Sequence, residues 1–207
     1  DLKPTNSNSG RVVFYYGSND TANGGIVELR TTSTNKLRLQ YGSNNNHVRL
    51  QTPSALTVDT WQHVIITYDG GTTGAASGSL SDYYGRFEIF IDSASQTTSN
   101  SHSNYGYSSA ISGQNLRLGK LVSGNTLKGE KIDEVAIWNS DETTNVSSIY
   151  NGGTPFDLSE LTNPPLHWWR MGDGDTYPTL QDSGSSANCD FVMYNMTSAN
   201  IVSDIPT

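Results

Sequence analysis

Cysteine, charge and long apolar runs are all scarce in this 207-residue chain, and each scarcity removes a class of explanation. A single cysteine, Cys189, cannot close an intrachain disulfide or build a cysteine-rich zinc site, so stability must come from packing and sheet hydrogen bonds. In a compact domain such a cysteine is expected as a small buried apolar residue. Charged residues make up 15% of the chain, with 12 Lys and Arg against 20 Asp and Glu, for a net charge of −8. No basic run reverses that field locally, so nucleic acid is not an expected partner. No apolar stretch approaches the length of a membrane-spanning helix, and Asp1-Leu2-Lys3-Pro4 lacks an apolar signal core, so membrane insertion is not expected either. The first residue is not methionine, which predicts a processed chain or a piece of a longer one.

Polar and turn-forming residues take the place of what is missing. Ser, Thr and Asn together supply about a third of the chain, and there are 20 glycines. Between Gly, Asn and Ser clusters, apolar residues alternate with polar ones, the period of half-buried antiparallel strands. Residues 11–16 read as one strand. In 26–32, Ile26, Glu28 and Arg30 fall on one side and Val27 and Leu29 on the other; in 36–41, Leu37, Leu39 and Tyr41 alternate with Arg38 and Gln40. Residues 47–51 set Val48 and Leu50 against Arg49, and Pro53 is expected to break the run. Further strands are predicted at 61–68, 86–92, 115–119, 131–138, 166–171 and 191–194, with 61–68 suited to a central position.

Two polar stretches, 69–84 and 93–112, read as long loops, which in compact domains are functional or mobile. The one helix predicted spans 141–150, capped by Ser140 or Asp141, with Val146, Ile149 and Tyr150 on one face and Asn151-Gly152-Gly153 as its stop. About ten short strands and a single short helix predict an all-β antiparallel sandwich in one domain over 1–207.

Four strings then carry a resemblance. Thr60-Trp61-Gln62-His63-Val64-Ile65-Ile66-Thr67-Tyr68-Asp69-Gly70, Gly85-Arg86-Phe87-Glu88-Ile89-Phe90-Ile91-Asp92, Leu116-Arg117-Leu118-Gly119 and Lys128-Gly129-Glu130-Lys131-Ile132-Asp133-Glu134-Val135-Ala136-Ile137-Trp138-Asn139 resemble, in order, the laminin-G-like and pentraxin-like modules of the concanavalin A-like jelly roll. The resemblance implies core positions for Trp61 and Trp138, backbone hydrogen bonds accepted by Asp133, and bends at Gly119 and Gly129. A second stretch, Leu166-His167-Trp168-Trp169-Arg170-Met171-Gly172-Asp173-Gly174 with Asp182-Ser183-Gly184 and Asn195-Met196-Thr197-Ser198, is similar to a segment beside such modules in structural proteins of marine bacteriophages. In many related modules a strand of this kind comes first. Here it comes last, so residues 164–207 are expected to close the sandwich as a C-terminal extension.

Some members of this jelly-roll group hydrolyse glycosides, with paired carboxylates about 5–10 Å apart. Their Glu-x-Asp-x-x-Glu pattern is missing here. Asp133 and Glu134 are adjacent, and Glu88 and Asp92 lie about 13 Å apart along one strand, so no enzymatic activity is expected. His47, His63, His102 and His167 have no metal-ligand spacing and read as surface or half-buried strand residues. Relatives that bind calcium point to Gly172-Asp173-Gly174-Asp175 and Asp182 as a source of oxygen ligands, although such residues are first of all turn formers. The sequons at Asn19, Asn145 and Asn195 are expected by chance in so Asn- and Ser-rich a chain. The candidates for recognition are tyrosines in the long loops, Tyr83, Tyr84, Tyr105 and Tyr107, whose Ser-, Asn- and Gly-rich surroundings suit stacking on sugars or a polar protein interface, the alternative being that they cover the sheet edges or pin their own loops. The resulting expectation is a non-enzymatic virion decoration or fibre-associated domain at a virion surface or outside the cell, partnered by virion proteins, by copies of itself, and by host glycans. The alternative is a carbohydrate-binding module or adhesin of a secreted bacterial protein.

Overall fold

The computed structural model describes residues 1–5, 10–17, 26–42, 47–70, 85–103, 115–120, 129–186 and 188–206. Its first large sheet has six antiparallel strands: β2 (Arg11–Gly17), β3 (Ile26–Thr31), β4 (Lys36–Gly42), β5 (His47–Ala55), β9 (Ser99–Ser103) and β10 (Leu116–Leu118). They lie side by side in the order β10-β2-β3-β4-β5-β9. Leu29, Leu39 and Leu50 stand opposite one another on neighbouring strands. Leu39 and Leu50 belong with Val13, Leu37 and Ile89 to the main apolar core, against which the partly buried Leu29, Val27, Val64 and Ile66 pack.

The facing layer is assembled from short pieces. A hairpin of β6 (Val64–Tyr68) and β7 (Phe87–Ile91) is extended by β8 (Ala94–Ser95); β1 (Leu2–Lys3) pairs with β11 (Lys131–Ile132), and β12 (Val135–Ile137) pairs with β13 (His167–Trp169). A last small ladder joins β14 (Thr179–Leu180) to β15 (Phe191–Val192). All of these pairings are antiparallel, as the period-two patterning requires.

The structure corrects several expectations. Pro53 does not end its strand: the register jumps from Arg38↔Gln51 to Lys36↔Ala55, so Pro53 falls in an irregularity that needs no ladder bond from it. Thr52 holds that irregularity, accepting the Leu37 N–H at 3.0 Å and donating to the Ser54 carbonyl at 2.9 Å. The predicted loop 93–112 contains β8 and the edge strand β9, which pairs with β5 over Gln51↔Ser99 to His47↔Ser103. The single strand expected over 131–138 is broken by Glu134, whose φ of 47° is left-handed. Trp61 and Trp138 are half-buried, with indole N–H groups donating to Asp204 and to the Asn163 carbonyl; the buried tryptophans are Trp168 and Trp169. Cys189 is exposed. Its backbone is what matters, since its carbonyl accepts the Trp169 indole N–H at 2.9 Å.

Helical structure starts two residues later than expected and runs on past it, as a 3-10 turn Thr143–Asn145, the helix α1 (Val146–Tyr150) and a second turn Asn151–Gly153. Asp141 Oδ1 accepts the Thr143 N–H at 3.0 Å, Val146 and Ile149 are the buried face, and Asn151 ends α1 in the left-handed conformation. Gly119 and Gly129 both have positive φ, 70° and 91°, and so make the bends expected of them.

β13 and its following turn are fitted closely. Asp182 accepts the Trp168 and Gly184 N–H groups on Oδ1, both at 2.9 Å, and the Cys189 N–H on Oδ2 at 3.1 Å. Gly184 lies so near the preceding strand that a Cβ would meet the Leu166 carbonyl at 2.3 Å, which explains why an Asp-Ser-Gly turn stands there. Trp169 is fully buried, pairs with Val135 and packs on Phe191 with ring centroids 4.4 Å apart. Replacing Trp169 with Ala should therefore cost about 3–5 kcal/mol, from lost packing and the orphaned Cys189 carbonyl. Chemical denaturation would measure it, and a cost under about 1 kcal/mol would show that this segment contributes little to the fold.

Candidate binding surface

The same alternation that turns Leu29, Leu39 and Leu50 into the core turns their neighbours to the other face of the six-stranded sheet. Tyr15, Glu28, Gln40 and Arg49 form one row across β2, β3, β4 and β5, and Arg30, Arg38 and Gln51 form the next across β3, β4 and β5. Glu28 and Gln40 are buried, at 6% and 3% exposure. The side chains of Arg30 and Arg38 keep 17% and 25%.

Glu28 Oε1 lies 3.1 Å from an Arg30 nitrogen and 3.9 Å from one of Arg38. Arg49 Nε donates to Gln40 Oε1 at 2.6 Å. Arg30 and Arg38 are direct cross-strand neighbours, an arrangement that like charges disfavour. Burial lowers the pKa of Arg38, and Arg30 and Arg49 lower it further while Glu28 opposes them. Gly10 lets the Arg30 side chain lie against the backbone, since a Cβ there would approach a guanidinium nitrogen to 2.9 Å. Among the described residues the outcome is a shielded group of three arginines around Glu28 on one sheet face, in a chain whose net charge is −8. Planar donors held by a rigid sheet suit carboxylate and sulfate oxygens.

The four tyrosines assigned to recognition, Tyr83, Tyr84, Tyr105 and Tyr107, lie outside the described residues. The sequence pattern already put Glu28 with Arg30, Arg38 with Gln40, and Arg49 on polar sides of their strands. What it could not show was the register that lines those sides up on one face.

Carboxylates elsewhere are engaged one by one. Asp92 sits in a left-handed turn and accepts the His63 N–H at 2.9 Å, whereas Glu88 is exposed on β7. Glu134 binds the Trp168 indole N–H at 2.6 Å and Arg170 at 3.4 Å, and Asp133 Oδ1 accepts the Glu134 N–H at 3.0 Å. Burial lifts Asp133 to about 6, helped by the Glu134 charge, and also raises Glu134. Of the loop oxygens considered for calcium, Asp173 pairs with Arg170, Asp175 accepts the Gln181 N–H, and Asp182 is used by its own turn. Among the described residues no three His, Cys, Asp or Glu side chains converge as a metal site.

Residues 2–145 match the sequence model, of laminin-G type, that is described as the Concanavalin A-like lectin/glucanases superfamily. The chain belongs to that superfamily. Its antiparallel sheets and short helical segment are consistent with the superfamily's β-sandwich, and such domains commonly bind carbohydrates or proteins. No curated protein and no solved structure matches the chain. No helix among the described residues is long and apolar enough to cross a membrane.

The histidines differ from one another more than the sequence implies. His47 is buried, His102 lies outside the described side chains, and His167 Nδ1 lies 2.6 Å from Asp182. His63 is half-buried; burial lowers its pKa to about 4, with the terminal ammonium adding to the effect. Protonation thus favours the unfolded chain, and the stability due to neutral His63 is lost as pH falls from about 6.5 to about 4. Asp133 works the other way between about 4 and 6, because its raised pKa favours the folded state on acidification. A comparison of parent and His63→Gln protein by urea denaturation at pH 7 and pH 4.5 separates the two. The variant should lose less stability on acidification, by on the order of 1–3 kcal/mol; equal losses would contradict the assignment.

Proposed function

We propose that this chain is a non-enzymatic carbohydrate-binding module that recognises acidic sugars through the polar face of its six-stranded sheet. The observation that carries the reading is the grouping of Arg30, Arg38 and Arg49 around buried Glu28 and Gln40. Placing like charges together in a shielded site disfavours folding unless something offsets it. A uronate or sulfate group would do so, accepting charge-assisted hydrogen bonds from more than one guanidinium. Glu28 orients the Arg30 and Arg38 guanidinium groups, to which the ligand's anionic oxygens are assigned. The segment holding Tyr105 and Tyr107 connects β9 to β10, the two edges of this sheet, and Tyr83 and Tyr84 belong to the connection between β6 and β7. Stacking by these tyrosines supplies the neutral part of recognition.

A glycan array run in calcium and again in chelator, followed by calorimetry, tests the proposal. Sulfated or uronate-containing oligosaccharides should bind, binding should weaken with salt, and Arg38→Met together with Arg49→Met should lower affinity at least about tenfold with the circular dichroism unchanged. Equal binding of neutral and acidic sugars, or full affinity in the arginine variant, would overturn it. The same assay with Tyr83, Tyr84, Tyr105 and Tyr107 changed to Ala isolates the loops, and chelator sensitivity would point to a metal.

A second reading places the module on a bacteriophage particle, in contact with virion proteins and copies of itself. It is supported by the resemblance of residues 166–174, 182–184 and 195–198, together with the acidic composition and the lack of a disulfide. Most of that stretch is engaged in packing around Trp168, Trp169 and Asp182, which accounts for its residue types without an assembly role. Fixed stoichiometry in purified particles would favour it, and absence from them would remove it.

A further inference from the structure

Six of the seven large apolar residues that stand exposed among the described ones fall within 177–205, and four of these gather at the β14–β15 ladder. There Leu180 is buried and Phe191 packs on Trp169, so alternation turns Val192 outward, where 68% of it is exposed. The Met193 N–H donates to the Pro178 carbonyl at 2.8 Å, which carries the pairing one residue further, and Tyr194 again points outward, 75% exposed. Asn195 then turns the chain in the left-handed region, and the carbonyl of exposed Met196 accepts the Tyr177 hydroxyl at 2.9 Å. Tyr177 itself stands in the turn closed by the Thr179 N–H on the Thr176 carbonyl at 3.0 Å. Tyr177, Val192, Tyr194 and Met196 thus form one outward stripe, on residues outside the 2–145 that match the superfamily.

An apolar stripe on a chain this polar marks a contact surface, and its size and charge say for what. The exposed parts of the four side chains amount to roughly 400 Å², about half of what each partner in a stable protein complex buries. That extent suits a short oligosaccharide better than a folded partner. Beside the stripe, among the described residues, are Asp175 and Asp190, each two residues away along the chain, and the Lys120 ammonium, 5.3 Å from the centre of the Tyr194 ring. Two carboxylates against one ammonium disfavour an anion. Tyrosine rings offer flat apolar faces with a polar edge, which match a pyranose, whose faces are C–H surfaces and whose rim is hydroxyl.

We propose that the stripe is a second binding site, for neutral hexose oligosaccharides, with pyranose faces stacked on Tyr194 and Tyr177 and Lys120 donating to a hydroxyl. The Tyr177 hydroxyl, whose hydrogen is committed to Met196, keeps its lone pairs for a sugar O–H. Stacking on two rings without charge pairing gives a weak site, with a dissociation constant on the order of 1 mM, well above that expected of the arginine face for acidic sugars. The two sites share the carbohydrate class and no residue, so either proposal can fail without the other.

Calorimetric titration of the full chain with cellohexaose and with mannohexaose tests the proposal. At least one should bind with an affinity that salt leaves unchanged, that falls at least about tenfold in Tyr194→Ala and in Val192→Asp, and that Arg38→Met together with Arg49→Met does not alter. Both stripe substitutions lie at exposed positions, so circular dichroism should be unchanged in each. No binding of either hexaose at about 5 mM, full affinity in the two stripe variants, or loss of binding in the arginine variant would overturn it. So would a concentration-dependent dimer in sedimentation that Tyr194→Ala dissolves, since the stripe would then be covered by a second copy of the chain.

Discussion

Everything distinctive in this molecule depends on the register of β3, β4 and β5. Strand residues alternate between faces, so aligning Leu29, Leu39 and Leu50 necessarily aligns Glu28, Gln40 and Arg49 on the other side. A slip of one residue would send the leucines to the polar face and the arginines into the core. The burial of the leucine line, at 1–2% exposure for Leu39 and Leu50, is thus the energy that holds the charged array together. The array cannot be altered by repacking alone, because its spacing is that of the strands beneath it.

The opposite layer is built on a different logic. Its pieces are short and are joined by side chains as much as by ladders. Asp204, far along the chain, gathers Lys3 at 2.8 Å, the Trp61 indole at 3.2 Å and Lys131, so one carboxylate near the C-terminal end ties β1 and β11 to the start of the β6 segment. Those partners hold its pKa well below the usual carboxylate range, with the Lys131 and Lys3 bonds as the leading causes. Asp182 does comparable work for β13 and its turn. Glu134 breaks the β11–β12 strand in a left-handed turn, and its carboxylate holds Trp168 and Arg170. The result is a layer clasped at its ends, with no ladder joining β6 to β12 among the described residues.

How far the sequence could be read follows from where each signal resides. Strands β2 to β7 announce themselves because their alternation is local, and the helical stop at Asn151 is local too. Pro53 and the strand at 99–103 mislead because their pairing is decided by partners far away: a proline is tolerated where the opposite register jumps, and a Ser- and Asn-rich segment becomes a strand because β5 offers it an edge. Family resemblance put Trp61 and Trp138 in the core, but their indole N–H groups seek acceptors near the surface, and Trp168 and Trp169 take the buried places. Arg30, Arg38 and Arg49 were each visible as polar strand positions; their convergence is a property of three strands together and no single segment contains it.

The claim on which the account stands is that the arginine face, and not another surface, meets the ligand. Side-chain Nε–Hε resonances of arginine, assigned by single substitutions and followed by NMR during titration with a sulfated oligosaccharide, address it directly. The Arg30, Arg38 and Arg49 signals should shift together and saturate with one dissociation constant, while Arg86 and Arg170 remain in place. Saturable binding with those three signals unmoved would contradict it.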